Sequence, residues 1–274
     1  MKINSLSKTN KKVNEDVYGY THYAAWVIDG ATGYEKDLLS EVKSDAWWFV
    51  QSISKYIKES IDNFDLSIEE VIQNSVIKTK EQYLLKNNSK FDSSQYPSAT
   101  ISLIRINKNN LETFYMGDCS IIIENNSDVQ IYEDKRIKDL ENITIDKITS
   151  YMKKYNTGIE KARSANIGQL KKNRALKNIK YFVLSDEVLV DKAYSDIVPM
   201  DQIKSILILS DGFSRIYDVF NHYKTLSGLL NDIKNNSIEY VWNLICKYEK
   251  DDYDCIKYPR TKTSDDATAV YIEF

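Results

Sequence analysis

The sequence predicts an α+β fold with antiparallel sheets. Three observations point there. Extended segments cluster in hairpin-like runs, helical stripes fall in separate blocks, and strands and helices do not alternate as a parallel sheet requires.

The first extended segment runs from Tyr20 to Ile28 and ends at the turn dipeptide Asp29-Gly30. A long helical pattern follows. Leu39, Val42, Ala46, Phe49, Val50, Ile53 and Ile57 recur at three- and four-residue spacing and make one apolar stripe. A second helix carries Ile68, Val71, Ile72, Val76 and Tyr83. Asp65 or Ser67 would cap it, and Glu70 sits three residues after Ser67, as a capping box requires.

The period then changes. Thr100–Ile106, Leu111–Tyr115, Ser120–Glu124 and Val129–Tyr132 read as successive strands of a β-meander, with turns at Asn107–Asn110 and Asn125–Asp128. Residues 146–180 hold ten Lys/Arg and two acids in a largely helical stretch. A strand at Ser205–Leu209 runs into Ser210-Asp211-Gly212. Two helical patterns at about 218–234 and 237–249 follow, and a last strand spans Ala267–Phe274. With no repeat, low-complexity tract or linker, residues 1–274 read as one domain.

Composition narrows the chemistry. At 42% hydrophobic and 28% charged residues, the chain has the balance of a soluble globular protein. No apolar run is long enough to span a bilayer, and the N-terminus lacks an apolar signal core, so a cytoplasmic protein is expected. Cys119, Cys246 and Cys255 form no CxxC pair, which fits a reducing compartment. Only His22 and His222 are present, so any metal centre must be built from oxygen ligands. His22 is expected as an ordinary histidine in a strand, and His222 is not expected in catalysis. Of Trp47 and Trp48, at least one should be core. A net charge of −3 selects no partner.

Four acidic clusters stand at strand ends or in the turns beside them: Asn14-Glu15-Asp16, Asp29-Gly30, Ser210-Asp211-Gly212 and Asp265-Asp266. Gly117-Asp118 lies between two strands of the meander. Asp-Gly alone is a common turn dipeptide. Two of these Asp-Gly pairs, however, follow apolar strands directly (Ala24–Ile28 and Ile206–Leu209), which would deliver carboxylates to the rim of a packed sheet. Carboxylates gathered there repel one another unless a cation neutralises them, and Mg²⁺ or Mn²⁺ prefers such oxygens.

The order and spacing of these clusters resemble the metal-dependent protein phosphatases of the PP2C (PPM) family, and in particular its compact bacterial members. The matching elements are Val13-Asn14-Glu15-Asp16, Trp26-Val27-Ile28-Asp29-Gly30-Ala31-Thr32-Gly33, Ser98-Ala99-Thr100, Tyr115-Met116-Gly117-Asp118-Cys119-Ser120, Ile208-Leu209-Ser210-Asp211-Gly212-Phe213 and Asp265-Asp266-Ala267-Thr268-Ala269-Val270. The resemblance implies an αββα sandwich of two antiparallel sheets flanked by helices. It implies hydrolysis of phosphoserine and phosphothreonine in proteins by water activated between two Mn²⁺ or Mg²⁺ ions. Asp29 would bridge the ions, Glu15 and the Gly30 carbonyl would complete the protein contacts of one, and Asp211 and Asp265 would hold the other. Asp16 would orient the attacking water.

Three positions depart from the family pattern. The phosphate-gripping arginine falls on Lys11, which carries charge without a bidentate fork. A histidine that eukaryotic members place after the Asp-Gly is Ala31 here. A third metal would use Asp118 and an Asp four residues past Asp211, but that place is Arg215, which argues against a third ion. Arg215 is expected to pair with Asp211 or Asp118, or to contact phosphate. Cys119 lies in a predicted sheet and reads as a buried hydrophobe, not a nucleophile.

Three other readings compete with this one. A haloacid-dehalogenase-like hydrolase needs a second Asp two residues before Asp29, and Val27 stands there. A catalytically inactive PP2C-like binding module would lose metal ligands, and here all four carboxylates remain. Nucleic-acid binding through 146–180 lacks a stacking platform, since only Tyr151 and Tyr155 are aromatic there. That segment fits better as a basic flap that draws in phosphorylated substrates. The expected partners are a phosphoprotein and a cognate serine/threonine kinase system, with no nucleic acid and no membrane. The protein is expected to be a monomer.

Overall fold

The computed structural model describes residues 2–33, 38–39, 42–87, 93 and 95–274. Among them are ten strands: β1 (Lys2–Lys8), β2 (Asp16–Tyr20), β3 (Ala24–Ala31), β4 (Ser98–Asn107), β5 (Asn110–Met116), β6 (Ser120–Asn125), β7 (Val129–Glu133), β8 (Tyr194–Pro199), β9 (Ile203–Leu209) and β10 (Ala267–Glu273). The α-helices are α1 (Asp45–Ser60), α2 (Ile68–Lys86), α3 (Lys138–Tyr155), α4 (Ile159–Ala165), α5 (Ile167–Arg174), α6 (Asp211–Asp218), α7 (Leu226–Asn235) and α8 (Ile238–Asp251). The strands make two five-stranded antiparallel sheets, ordered β1-β10-β9-β6-β7 and β2-β3-β4-β5-β8. No described helix is long and apolar enough to cross a membrane.

Side-chain parity explains the layering, because alternate residues of a strand face opposite ways. On β3, Trp26 and Ile28 pack under α1 and α2 with Phe49, Ile53, Val71 and Ile72. Their neighbours Ala25 and Val27 face the other sheet and meet Ile206 and Ile208 of β9 and Val270 and Ile272 of β10. On β9, Leu207 and Leu209 face outward onto Phe213 and Ile216 of α6 and Val241 and Ile245 of α8. Each central strand is therefore apolar on both faces, and the four layers follow as helices, sheet, sheet, helices.

The helix signals hold where local chemistry is explicit. Ser67 and Glu70 form the reciprocal capping box at the start of α2. Trp48 is in the core, with Trp47 packed at its edge.

Several expectations are corrected. The first predicted strand begins at Ala24 and continues through Asp29-Gly30 to Ala31, so that pair is ladder, not turn. His22 lies in the exposed bend before it. The first long helix begins at Asp45, where Ser44 caps it, so Leu39 and Val42 precede it. Residues 40 and 41, which the longer helix would have crossed, lie outside the described residues. The meander is broken, since β5 pairs with β4 and β8 whereas β6 pairs with β7 and β9. Gly117-Asp118 is where the chain changes sheet, and Gly117 turns there with φ +83°. Asp211 opens α6, which ends at Asp218, and of the pattern at 218–234 the part from Leu226 onward is helical, as α7. Strands β1, β2 and β8 were missed. Their mixed-polarity sequences carry little apolar alternation.

Candidate functional site

The parity that fills the space between the sheets also aims carboxylates into its open end. Asp29 follows Ala25 and Val27 on the inter-sheet face of β3, and its register partner on β2 is Asp16. From the opposite sheet, Ser210 continues the Ile206–Ile208 face and its hydroxyl donates to Asp16 Oδ2 at 2.8 Å. Thr268 N donates to Ser210 Oγ at 3.0 Å, so the same hydroxyl joins both sheets. Asp211 comes next, at the first turn of α6. Gly212 is required there for space, because a Cβ would come within 1.9 Å of the Asp266 carbonyl oxygen. That close approach sets the start of α6 against Asp265-Asp266.

One end of this acidic row carries uncompensated charge. Burial raises the Asp29 carboxyl well above its ordinary value of 3.8, and Asp16, Asp211 and Asp118 add repulsion. Burial, with the charge of Asp266, pushes Asp16 up to about 8 against the opposing Ser210 hydrogen bond. Asp118 is pushed up to about 7 by burial and then by Asp211. Cys119, buried beside Thr100 and Asp29, is raised too, which keeps its thiol protonated. Oδ1 of Asp16 and Oδ1 of Asp211 are buried with no hydrogen-bond partner among the described residues.

The other end is the reverse. Asp265 accepts from Lys11 Nζ on Oδ1 (3.3 Å), and from Arg215 Nη2 (2.7 Å) and Lys262 Nζ (2.6 Å) on Oδ2. Burial alone would raise its carboxyl, but Lys262, Arg215 and Lys11 hold it well below the usual range. Arg215 is itself buried and donates to Glu249 Oε1 at 3.0 Å. Lys11 also reaches Asp266 Oδ2 at 2.7 Å, and the Glu15 amide donates to the same oxygen at 2.9 Å. Arg215 thus pairs with Asp265 and Glu249, neither of which was its expected partner.

Glu15 is oriented by hydroxyls. Its Oε1 accepts from Thr32 Oγ1 at 2.7 Å and from Ser44 Oγ, the cap of α1, at 2.6 Å. Gly30 lies opposite Ala99 in the ladder and donates its N–H to the Glu15 carbonyl at 3.2 Å. Lys11, Glu15, Gly30, Asp211 and Asp265 share the wall of one cleft of about 640 Å³. Asp29 lines an adjoining hollow of about 220 Å³, together with Gly30, Asp118 and Asp211. The predicted site residues therefore come together around one opening, with Asp16 beneath them in register with Asp29. Sequence reasoning missed Lys262, Glu249 and Ser210. Strand parity, extended past the end of β9, was the signal that could have found Ser210.

The basic stretch is largely helical as expected and forms the second half of α3 with α4 and α5. Ile148 and Met152 of α3 pack on Ile159 and Ala162 of α4, and Asn173 of α5 donates to Thr144 of α3 at 2.8 Å. It leans over the cleft. Arg174 at the end of α5 donates to the carbonyls of Thr32 (3.2 Å) and Tyr96 (2.9 Å).

Whether this arrangement suits a divalent cation differs along the row. Two orphaned buried carboxylate oxygens, beside Asp29 and Asp118, are the donor set that a hard cation takes. At Asp265 the oxygens already carry protein cations. Among the described residues no group of three or more His, Cys, Asp or Glu forms a ready-made cage.

The model of the protein phosphatase 2C family matches residues 8–241. No curated protein matches the chain. Among solved structures, the fold is similar to that of Stp1, a serine/threonine phosphatase from Staphylococcus aureus, with TM-score 0.58 at 13% identity over 99% of this chain and 94% of that one. It is similar to the serine/threonine phosphatase PstP/Ppp of Mycobacterium tuberculosis, with TM-score 0.57 at 11% identity over 99% and 98%. A structure of the PstP catalytic domain in complex with two manganese ions gives TM-score 0.57 at 10% identity over 99% and 97%.

Proposed function

The chain belongs to the protein phosphatase 2C family, and on that premise we propose that it hydrolyses phosphoserine and phosphothreonine esters in proteins, using divalent cations at the Asp29–Asp211 cleft. The observation that carries this reading is the pair of buried, unpartnered oxygens on Asp16 and Asp211 beside the mutually repelling Asp29 and Asp118. Protein interiors seldom leave such acceptors unanswered.

Asp29 and Asp211 would hold the cation, with Glu15 and the Gly30 carbonyl at its rim. Mn²⁺ or Mg²⁺ bound there would supply charge to neutralise a phosphate ester and to acidify water. Asp16, fixed through one oxygen by Ser210, would use its other oxygen to orient the attacking water and take up a proton. Lys11 is held on Asp265 and Asp266, so it would act on the phosphate as a fixed positive field and not as a fork. Ala31 offers no proton, so the leaving oxygen would take its proton from solvent. The α3–α5 stretch over the cleft would favour phosphorylated protein segments, products of a protein kinase.

A second reading, an inactive binding module of the same fold, is favoured by one observation: Asp265 is fully engaged by cations. Turnover of an aryl phosphate and of a phosphothreonine peptide, with Mn²⁺ and then with chelator, separates the two. Mn²⁺-dependent turnover that Asp29→Ala lowers by at least about a thousandfold is expected. No turnover by the wild type under any metal would establish the binding module.

A further inference from the structure

We propose that Lys262 is a built-in cation for the Asp265 side of this centre, so that the chain binds one divalent ion tightly and a second only when Lys262 is displaced. The proposal rests on the phosphatase reading and specifies how many ions that site takes.

A carboxylate has about four lone-pair positions. Those of Asp265 meet four donors: Lys11 Nζ at 3.3 Å and the Asp266 amide at 3.0 Å on Oδ1, with Arg215 Nη2 at 2.7 Å and Lys262 Nζ at 2.6 Å on Oδ2. A metal ion can reach Asp265 only if one of them leaves. The Asp266 amide is backbone. Arg215 is buried and clamped between Asp265 and Glu249. Lys11 is anchored closer to Asp266, at 2.7 Å, than to Asp265. Lys262 is exposed to a similar degree as Lys11, 37% against 33%, but among the described residues its ammonium is paired with no second carboxylate, so it is the donor that can leave.

Its backbone, however, is pinned. Arg260 Nε donates to the Thr263 carbonyl at 3.2 Å, while its guanidinium reaches Asp252 Oδ2 and the Asp252 and Tyr258 carbonyls at 2.7–2.8 Å. Thr263 Oγ1 donates to the Tyr253 carbonyl at 3.1 Å. The loop thus presents an ammonium at a fixed address, and that ammonium lies within electrostatic reach of Asp211 and Asp29 as well as Asp265. An ammonium is a compact point charge on a flexible stem, suited to standing in for an ion and swinging away from it.

The test is Mn²⁺ binding by calorimetry, with spin-coupled Mn²⁺ pairs counted by electron paramagnetic resonance. Wild type, Lys262→Met and Lys262→Arg are compared at one pH, with circular dichroism to verify the fold. Wild type should bind one ion tightly and a second at least about tenfold more weakly. Lys262→Met should tighten the second site by about tenfold and show coupled pairs at two equivalents of Mn²⁺. Lys262→Arg, which keeps the charge, should behave as wild type. Identical binding of two ions by wild type and Lys262→Met overturns the proposal while leaving the phosphatase reading standing. No saturable Mn²⁺ binding by any of the three overturns both.

Discussion

The Asp16–Asp29 and Asp265–Asp266 ends of the acidic row use the same residue type to opposite effect. At the first, carboxylates face each other across a β-ladder with no ion pair to a cation among the described residues, and two carry raised affinities for protons. At the second, Lys11, Arg215 and Lys262 crowd onto Asp265 and drive its proton affinity down. The first end is held in an unfavourable state by the packing of the sheets. The second is satisfied within the chain. A buried acid is therefore a candidate ligand only when its partners are known, and partners depend on which layer of the sandwich a residue faces.

The largest effect should come from breaking the satisfied end. Asp265→Asn leaves Arg215 with Glu249 alone and Lys262 without its carboxylate, and metal-free protein should lose roughly 3–5 kcal/mol in urea unfolding. A loss below about 1 kcal/mol would mean that solvent already screens these pairs.

At the other end the sign reverses. Asp16 and Asp118 have native affinities raised to about 8 and about 7 from 3.8, so the folded state holds more protons than the unfolded state between those values. Their contribution is fully present below pH 3.8 and disappears as pH climbs through 7 and 8. Metal-free protein should melt lower at about pH 9 than at about pH 6, by up to about 1.4 kcal/mol per pH unit for each extra proton held. Asp29→Asn should raise the melting temperature of metal-free protein by the equivalent of about 1 kcal/mol and remove the gain from added Mn²⁺. Scanning fluorimetry across pH, with chelator and then with Mn²⁺, reads both. A rise in stability toward alkaline pH would show that these acids are not clustered as described. Asp265 contributes the opposite dependence, present above 3.8 and lost only in strong acid.

The smallest effect should be at the overhanging helices. Arg174→Ala removes the bonds to Thr32 and Tyr96, worth about 1–2 kcal/mol locally. Limited proteolysis within 146–180 should quicken several-fold, with the global melting temperature nearly unchanged. Equal proteolysis of variant and wild type would mean that the Ile148–Met152 cluster and bonds such as Asn173 to Thr144 hold the segment without Arg174.

Much of this was legible in the amino-acid order. The helical stripe at Phe49, Val50 and Ile53, the capping box at Ser67 and the β-branched run at Thr100–Ile106 rest on local chemistry, and they folded as read. The apolar strands before Asp29 and Asp211 already implied that carboxylates would arrive at a sheet rim. The break between β5 and β6 was not legible, because both segments are apolar and nothing local says which sheet each joins. The cations at Asp265 were hidden for a related reason. Arg215, Glu249 and Lys262 occupy helices and a loop whose mutual placement is settled only by packing of α6 and α8.

The Ser210 hydroxyl, which bridges β9 to Asp16 on the facing sheet, has a mechanical consequence. The two halves of the molecule are stitched at the spot where charge is most crowded, so anything that relieves that crowding should tighten the stitch. Amide exchange along β2 and along β9 should then slow in concert when an ion enters, although these strands belong to separate ladders.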